Sequence, residues 1–242
     1  KARISGYYTR IYDQSKVISY YDDVAATFTN FAMSGIDKVH FGLEAAVSIP
    51  IYHTLALNGA VSWGQYTYDS NPYYLQTQDN SGDIVSDGYV YWKDFRVEST
   101  PQTAVNVGLS WRSNNNIYLS ADFNYYNNMY LSMSPIYRTD AVITGGMAPG
   151  DIEHLRRQEK FDSAYTLNAS IGKNWYIHRK YTLGFSLDVK NILNNQDIKT
   201  GGYEQTRLSK NTETTVTTYQ AFDSKYFYMF GTTYYLNLYF RF

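Results

Sequence analysis

Four histidines are the natural starting point for chemistry in this 242-residue chain. It holds no cysteine, and so neither a thiol nucleophile nor a thiolate metal site. His53 and His178 fall in short turns between strand-like segments and read as solvated. His154 closes the acidic stretch Asp151-Ile-Glu-His154, where it is a solvated loop residue or a weak metal ligand. His40 and Glu44 point the same way along one strand-like run, yet positions i and i+4 of a strand lie about 13 Å apart, too far for a direct pair. No spacing of Ser, His and acid suggests a nucleophilic triad, so no enzyme is expected.

Two further segments carry oxygen or backbone donors. Asp79-Asn-Ser-Gly-Asp83, with Asp87 nearby, clusters the hard oxygens that calcium prefers, but it does not match the twelve-residue calcium loop with glycine at its sixth position. It reads as a polar turn. Gly145-Gly-Met-Ala-Pro-Gly150 lacks the strand-to-helix context of a phosphate cradle and reads as a loop tip. No metal or cofactor is expected. The aromatic residues are a stronger lead: Tyr73, Tyr74, Tyr89, Tyr91 and Trp92 share one long connection, and Tyr203, Glu204, Gln205 and Arg207 share another. Aromatic faces beside hydrogen-bonding groups suit capture of an oligosaccharide or peptide, and the same residues could instead pack the loops together.

The composition excludes other classes. A net charge of −1 and a pI near 6.5 lack the basic footprint of a nucleic-acid binder. Charged residues make up 18%, against about 25% in a typical soluble domain, while aromatics reach 18%. With 44% hydrophobic residues the chain is not a disordered one. Mean hydropathy is −0.44. The longest uncharged run, Ala45 to Tyr68, contains Pro50, His53, Asn58 and Gln65, and it alternates instead of staying apolar, so it fails as a membrane helix. The chain opens within a strand-like segment at Lys1, which leads one to expect further sequence upstream.

The elements that must position these residues are strands. From Val39 to Ile49 the odd positions are apolar and the even ones, His40 to Ser48, are small or polar, the period-two mark of a strand. The same alternation recurs over 55–64, 105–111, 117–125, 165–171, 181–189 and 228–242, with a weaker eighth strand over Arg3 to Tyr12. The apolar rows contain no charge. Short connections over 50–53, 112–116 and 176–180 alternate with long ones over 14–37, 69–102, 127–160 and 191–224. Soluble sandwiches rarely place several such long connections at one end, whereas outer-membrane barrels combine tight turns with long external loops. Trp63, Tyr66, Tyr125 and Tyr126 at one end, and Trp111, Tyr118, Trp175, Tyr176 and Tyr181 at the other, read as interfacial girdles.

The second row is rich in small residues: Gly42, Ala46, Ala60, Gly64, Gly108, Gly172 and Gly184. A closed eight-stranded barrel is filled by its own inward side chains, so this row predicts voids in such a barrel and favours a slice of a wider wall. A self-contained eight-stranded outer-membrane protein, adhesive, structural or lipid-modifying, is the alternative.

Particular motifs agree with the wide barrel. Asn191-Ile-Leu-Asn-Asn195, Gly201-Gly-Tyr-Glu-Gln205 with Arg207, Lys225-Tyr-Phe-Tyr228 and the ending Tyr235-Leu-Asn-Leu-Tyr-Phe-Arg-Phe242 resemble the carboxyl end of Bacteroidota TonB-dependent outer-membrane receptors, the SusC-related group. Upstream, Gly6-Tyr-Tyr-Thr-Arg10, Ser34-Gly-Ile-Asp-Lys38, Thr100-Pro-Gln102, Asn124-Tyr-Tyr-Asn-Asn-Met-Tyr130, Pro135 and Arg138-Thr139 extend the resemblance in order along the chain. It implies an all-β, antiparallel transmembrane barrel of about 22 strands, of which residues 1–242 form the carboxyl-terminal part. It also implies an amino-terminal plug that engages the TonB complex, import of a nutrient across the outer membrane and, in the starch-utilisation branch, a surface lipoprotein lid. On this reading Glu44, Asp122, Asp188, Lys190 and Arg241 face the plug, and Phe240 and Phe242 form the carboxyl-terminal assembly signal.

Overall fold

The structure is a computed structural model that describes residues 1–178, 180–211 and 218–242. Arg179, in the short connection expected over 176–180, and residues 212–217, in the long one expected over 191–224, lie outside the described residues. Strand accounts for 64% of the chain and helix for 7%. In chain order the strands are β1 (Ala2–Asp22), β2 (Thr27–Tyr52), β3 (Leu55–Tyr68), β4 (Tyr73–Gln78), β5 (Ile84–Tyr89), β6 (Thr103–Arg112), β7 (Ile117–Asn127), β8 (Ala164–Ile177), β9 (Tyr181–Lys190), β10 (Lys199–Tyr203), β11 (Leu208–Asn211), β12 (Thr218–Ala221), β13 (Lys225–Tyr228) and β14 (Thr233–Arg241). Two short α-helices, α1 (Asp140–Ile143) and α2 (Pro149–Arg156), interrupt the connection between β7 and β8. Among the described residues no helix is long and apolar enough to cross a membrane.

Eight strands stand side by side in one antiparallel sheet, in the order β1, β2, β3, β6, β7, β8, β9, β14. Register follows from the alternation. Leu43 lies opposite Gly6 and Trp63, and Glu44 opposite Ser5 and Ser62, so apolar and polar residues fall on separate faces. A slip of one residue would exchange the faces of a whole strand, which is why the pattern specifies the pairing so strongly. Asn116 and His178 adopt positive φ (58° and 51°) in the short connections, a conformation that tight turns demand. Within the described residues β1 and β14 each pair on one side only, and the sheet does not close on itself.

The small residues of the polar face are covered from within the sheet. The Tyr7 hydroxyl lies 2.5 Å from where a Cβ on Gly42 would stand and 2.6 Å from one on Gly64. Tyr118 covers Gly172, directly opposite it, and Tyr239 covers Gly184 in the same way. These rings lie flat along neighbouring strands where a side chain would block them, a shielding of glycine by a cross-strand aromatic. The voids expected from the glycines alone are therefore partly filled. Four aromatics expected in the girdles, Tyr66, Tyr118, Tyr126 and Tyr176, belong to the polar face. Tyr66 bonds Tyr7 hydroxyl to hydroxyl at 2.5 Å.

Three boundaries also differ from the alternation. The long connection expected over 14–37 is strand: β1 and β2 run past the sheet to a turn over 23–26. Register shifts between Ile11 and Gln14 and between Gln14 and Lys16 change the phase there, so one period-two row cannot be followed through. The connection over 69–102 carries the β4–β5 hairpin, which pairs with the upper part of β2 from Thr29 to Ser34. The last sheet strand begins at Thr233, because Lys225–Tyr228 pairs with β10 in a separate two-stranded sheet.

Candidate functional site

The long connections fold into one layer at the end of the sheet opposite its short turns. Its first core contains Phe31, Met33, Tyr74, Val90 and Trp92, and the second contains Tyr137, Val142, Leu155 and Leu208. Burying these groups as the loops meet is the favourable term that orders segments with little regular structure.

The aromatic candidates divide within this layer. Tyr74 and Trp92 are each 1% exposed: Tyr74 stacks on Phe31 at 4.6 Å, and Trp92 packs on Tyr68 at 4.8 Å. Both are core residues. Burial pushes the Tyr74 phenol above its ordinary range. Tyr73 and Tyr89 form an exposed edge-to-face pair at 5.6 Å, and Tyr73 donates to Asp87 at 2.6 Å. Tyr91 carries the Arg156 guanidinium 5.6 Å above its ring, and its backbone N–H donates to the Arg138 carbonyl.

The second group is held by partners within the layer. Arg138, fully buried, gives Glu204 a two-pronged pair at 2.5 and 2.8 Å and donates also to the carbonyls of Ser134 and Arg157. A planar guanidinium and a carboxylate match in this way. Gln205 donates to the Asp223 carbonyl at 2.6 Å, and Tyr203 packs on Phe227. Arg207 reaches Asp23, in the β1–β2 turn, with two bonds of 3.0 Å. That guanidinium holds the Asp23 carboxyl below its ordinary range. Arg138 is the organising residue, one that the sequence left without a role beyond its place in the Arg138-Thr139 motif of the resemblance.

Between residues 154–160 and 221–226 the layer leaves a cleft of about 490 Å³. Leu131, Tyr137, Leu155 and Phe222 supply apolar wall. Glu159 receives Lys199 at 3.0 Å and the Tyr226 hydroxyl at 2.7 Å. Burial pushes the Tyr137 phenol up to about 12. His154 lines this cleft, whereas His40 packs 4.8 Å from Tyr66 on the polar face of the sheet.

No group of three or more His, Asp or Glu side chains among the described residues is arranged to hold a metal ion. Around the suspected calcium turn, Asp79 accepts from Asn30, Asp83 from Ser81 and Asp87 from Tyr73. Glu44, Asp122, Asp188, Lys190 and Arg241 all lie on the polar face, and none forms an ion pair among the described residues. Glu44 lines a groove of about 410 Å³ with Arg3, Asn106, Asn124 and Tyr126. Phe240 stacks on Tyr181 at 5.8 Å on the apolar face, with Phe242 following it. Compared with known proteins, the chain matches no family model, and no curated protein is significantly similar to it.

Proposed function

We propose that this chain is wall and external loop layer of a TonB-dependent nutrient transporter in the bacterial outer membrane. One observation carries the reading: eight adjacent strands expose an apolar row on one face while the opposite face bears small and hydrogen-bonding residues. Ile4, Leu43, Val107, Leu119, Leu183 and Leu238 are large exposed side chains along that row. In water a contiguous face of such side chains is unusual for a soluble monomer. In hydrocarbon it is the expected lipid face, since strands can cross a bilayer only when their backbone groups are paired.

The open edges favour a wider wall over the eight-stranded alternative, which requires β1 to pair with β14. On this reading the polar face turns toward a plug, whose contacts are mainly neutral hydrogen bonds with Glu44, Asp122, Asp188, Lys190 and Arg241 as scattered charges. Energy reaches the gate through that plug and the TonB complex, and the loop layer meets the nutrient and any lipoprotein lid.

The test is the mass of the membrane-embedded polypeptide that carries these strands, with peptide mapping ahead of Lys1. A chain several times heavier than 27.9 kDa with plug-like peptides supports the transporter. A membrane species of 27.9 kDa alone sinks it in favour of the small barrel, and recovery of the protein from buffer without detergent sinks both.

A further inference from the structure

We propose that the cleft between residues 154–160 and 221–226 binds a small organic acid, its carboxylate held by Arg157 and Lys160 and its body resting on the apolar wall. The proposal names a ligand class for the loop layer and rests on the reading of that layer as the face that meets the nutrient.

Most of the negative charge in the cleft already has a partner. Three carboxylates line it, Glu159, Glu204 and Asp223. Glu159 is matched by Lys199 and the Tyr226 hydroxyl, and Glu204 by the buried guanidinium of Arg138. Glu204 is nearly buried in its pair, and Glu159, though 37% exposed, has one oxygen on Lys199 and the other on Tyr226, so each has little left to offer a cation. Arg157 and Lys160 also line the cleft, but their side chains have no hydrogen-bond or ion-pair partner among the described residues. Arg157 is used only through its backbone, its carbonyl accepting from Arg138 and its N–H donating to the Glu153 carbonyl. These contacts fix the position of the residue while leaving its guanidinium free. The remaining carboxylate, Asp223, is outnumbered by two cations.

The cleft's volume lies in the range of small-ligand sites, about 300–1,000 Å³. Leu131, Leu155 and Phe222 give it apolar wall, so it pairs apolar contact with two positively charged residues, Arg157 and Lys160, exposed along its lining. A guanidinium binds a carboxylate through two parallel N–H groups, and a lysine adds a point charge. An acidic sugar and an acidic peptide share this chemistry.

The protein isolated in detergent from outer membrane is titrated calorimetrically with digalacturonate, with diglutamate and with neutral galactobiose. Binding of either acid, weakened when ionic strength is raised from about 0.1 to about 1 M, is the expected result, and the two acids separate the sugar source from the peptide source. Arg157→Gln and Lys160→Gln should each weaken it about tenfold or more, while Arg156→Gln, outside the cleft, leaves it unchanged. Heat-modified gel mobility shows that each variant is folded. Equal binding of galactobiose, no binding of either acid at millimolar concentration, or acid binding that survives both substitutions overturns the proposal. A membrane-embedded, plug-bearing protein that ignores acids overturns this inference alone. A protein found free of membrane that binds them overturns the transporter and leaves the cleft.

Discussion

Arg138 is a full charge placed where no water reaches it, and it can remain there because Glu204 supplies two oxygens while the Ser134 and Arg157 carbonyls take further donors. Such a pair costs more to break than it contributes when whole, since removing one partner strands the other in low dielectric. Glu204→Gln, which keeps the shape but not the charge, should therefore destabilise the layer by about 3–5 kcal/mol. Hydrogen exchange is the measurement that checks it, with residues 128–163, 191–211 and 218–232 losing protection while the sheet strands keep theirs. Asp23 carries a pH prediction of the opposite exposure. Its folded-state pKa is depressed by Arg207, so its contribution is present above the ordinary carboxylate range and is lost as pH falls through the lower folded value. Protection of the β1–β2 turn should fall in that acid window, and Asp23→Asn should abolish the pH dependence while leaving the turn less protected at neutral pH.

A strand in this sheet is more than its alternation. β8 and β9 each carry a glycine on the polar face beneath a tyrosine of the neighbouring strand, Gly172 under Tyr118 and Gly184 under Tyr239. A branched side chain at Gly172 would have to displace the Tyr118 ring, so Gly172→Val should cost about 1–3 kcal/mol by overpacking. Urea unfolding in detergent micelles reads this, and Tyr118→Ala in the same chain should restore part of the loss by vacating the space. If Gly172→Val unfolds at the urea concentration of the parent, the ring is not held against that glycine. The glycines were visible in the sequence, but their partners were not, because the register that sets Tyr118 opposite Gly172 is a property of two strands together.

For the molecule as a whole, the two faces of the sheet should respond differently to charge. Leu109 stands on the apolar face and Asn106 on the polar face of the same strand, β6, beside the groove lined by Glu44. Leu109→Arg should disfavour the folded, lipid-inserted state by about 2–4 kcal/mol if it lies near the bilayer midplane. Asn106→Arg should cost much less. Folding yield into lipid vesicles, followed by gel mobility, distinguishes them, and equal yields would remove lipid from the apolar face. What the sequence determined by itself is the local physics: period-two alternation specified most of the strands, their two faces and the antiparallel order, because neighbouring side chains on a strand must point opposite ways. It lost the phase along β1 and β2, where register shifts interrupt the row. Only the tertiary structure decided that Tyr74 and Trp92 are core while Tyr73 and Tyr89 face outward, that Glu204 serves Arg138, and that the third and fourth long connections enclose a cleft. Those outcomes depend on contacts between segments tens of residues apart, such as the 66 separating Arg138 from Glu204, and no local periodicity encodes which loop will meet which.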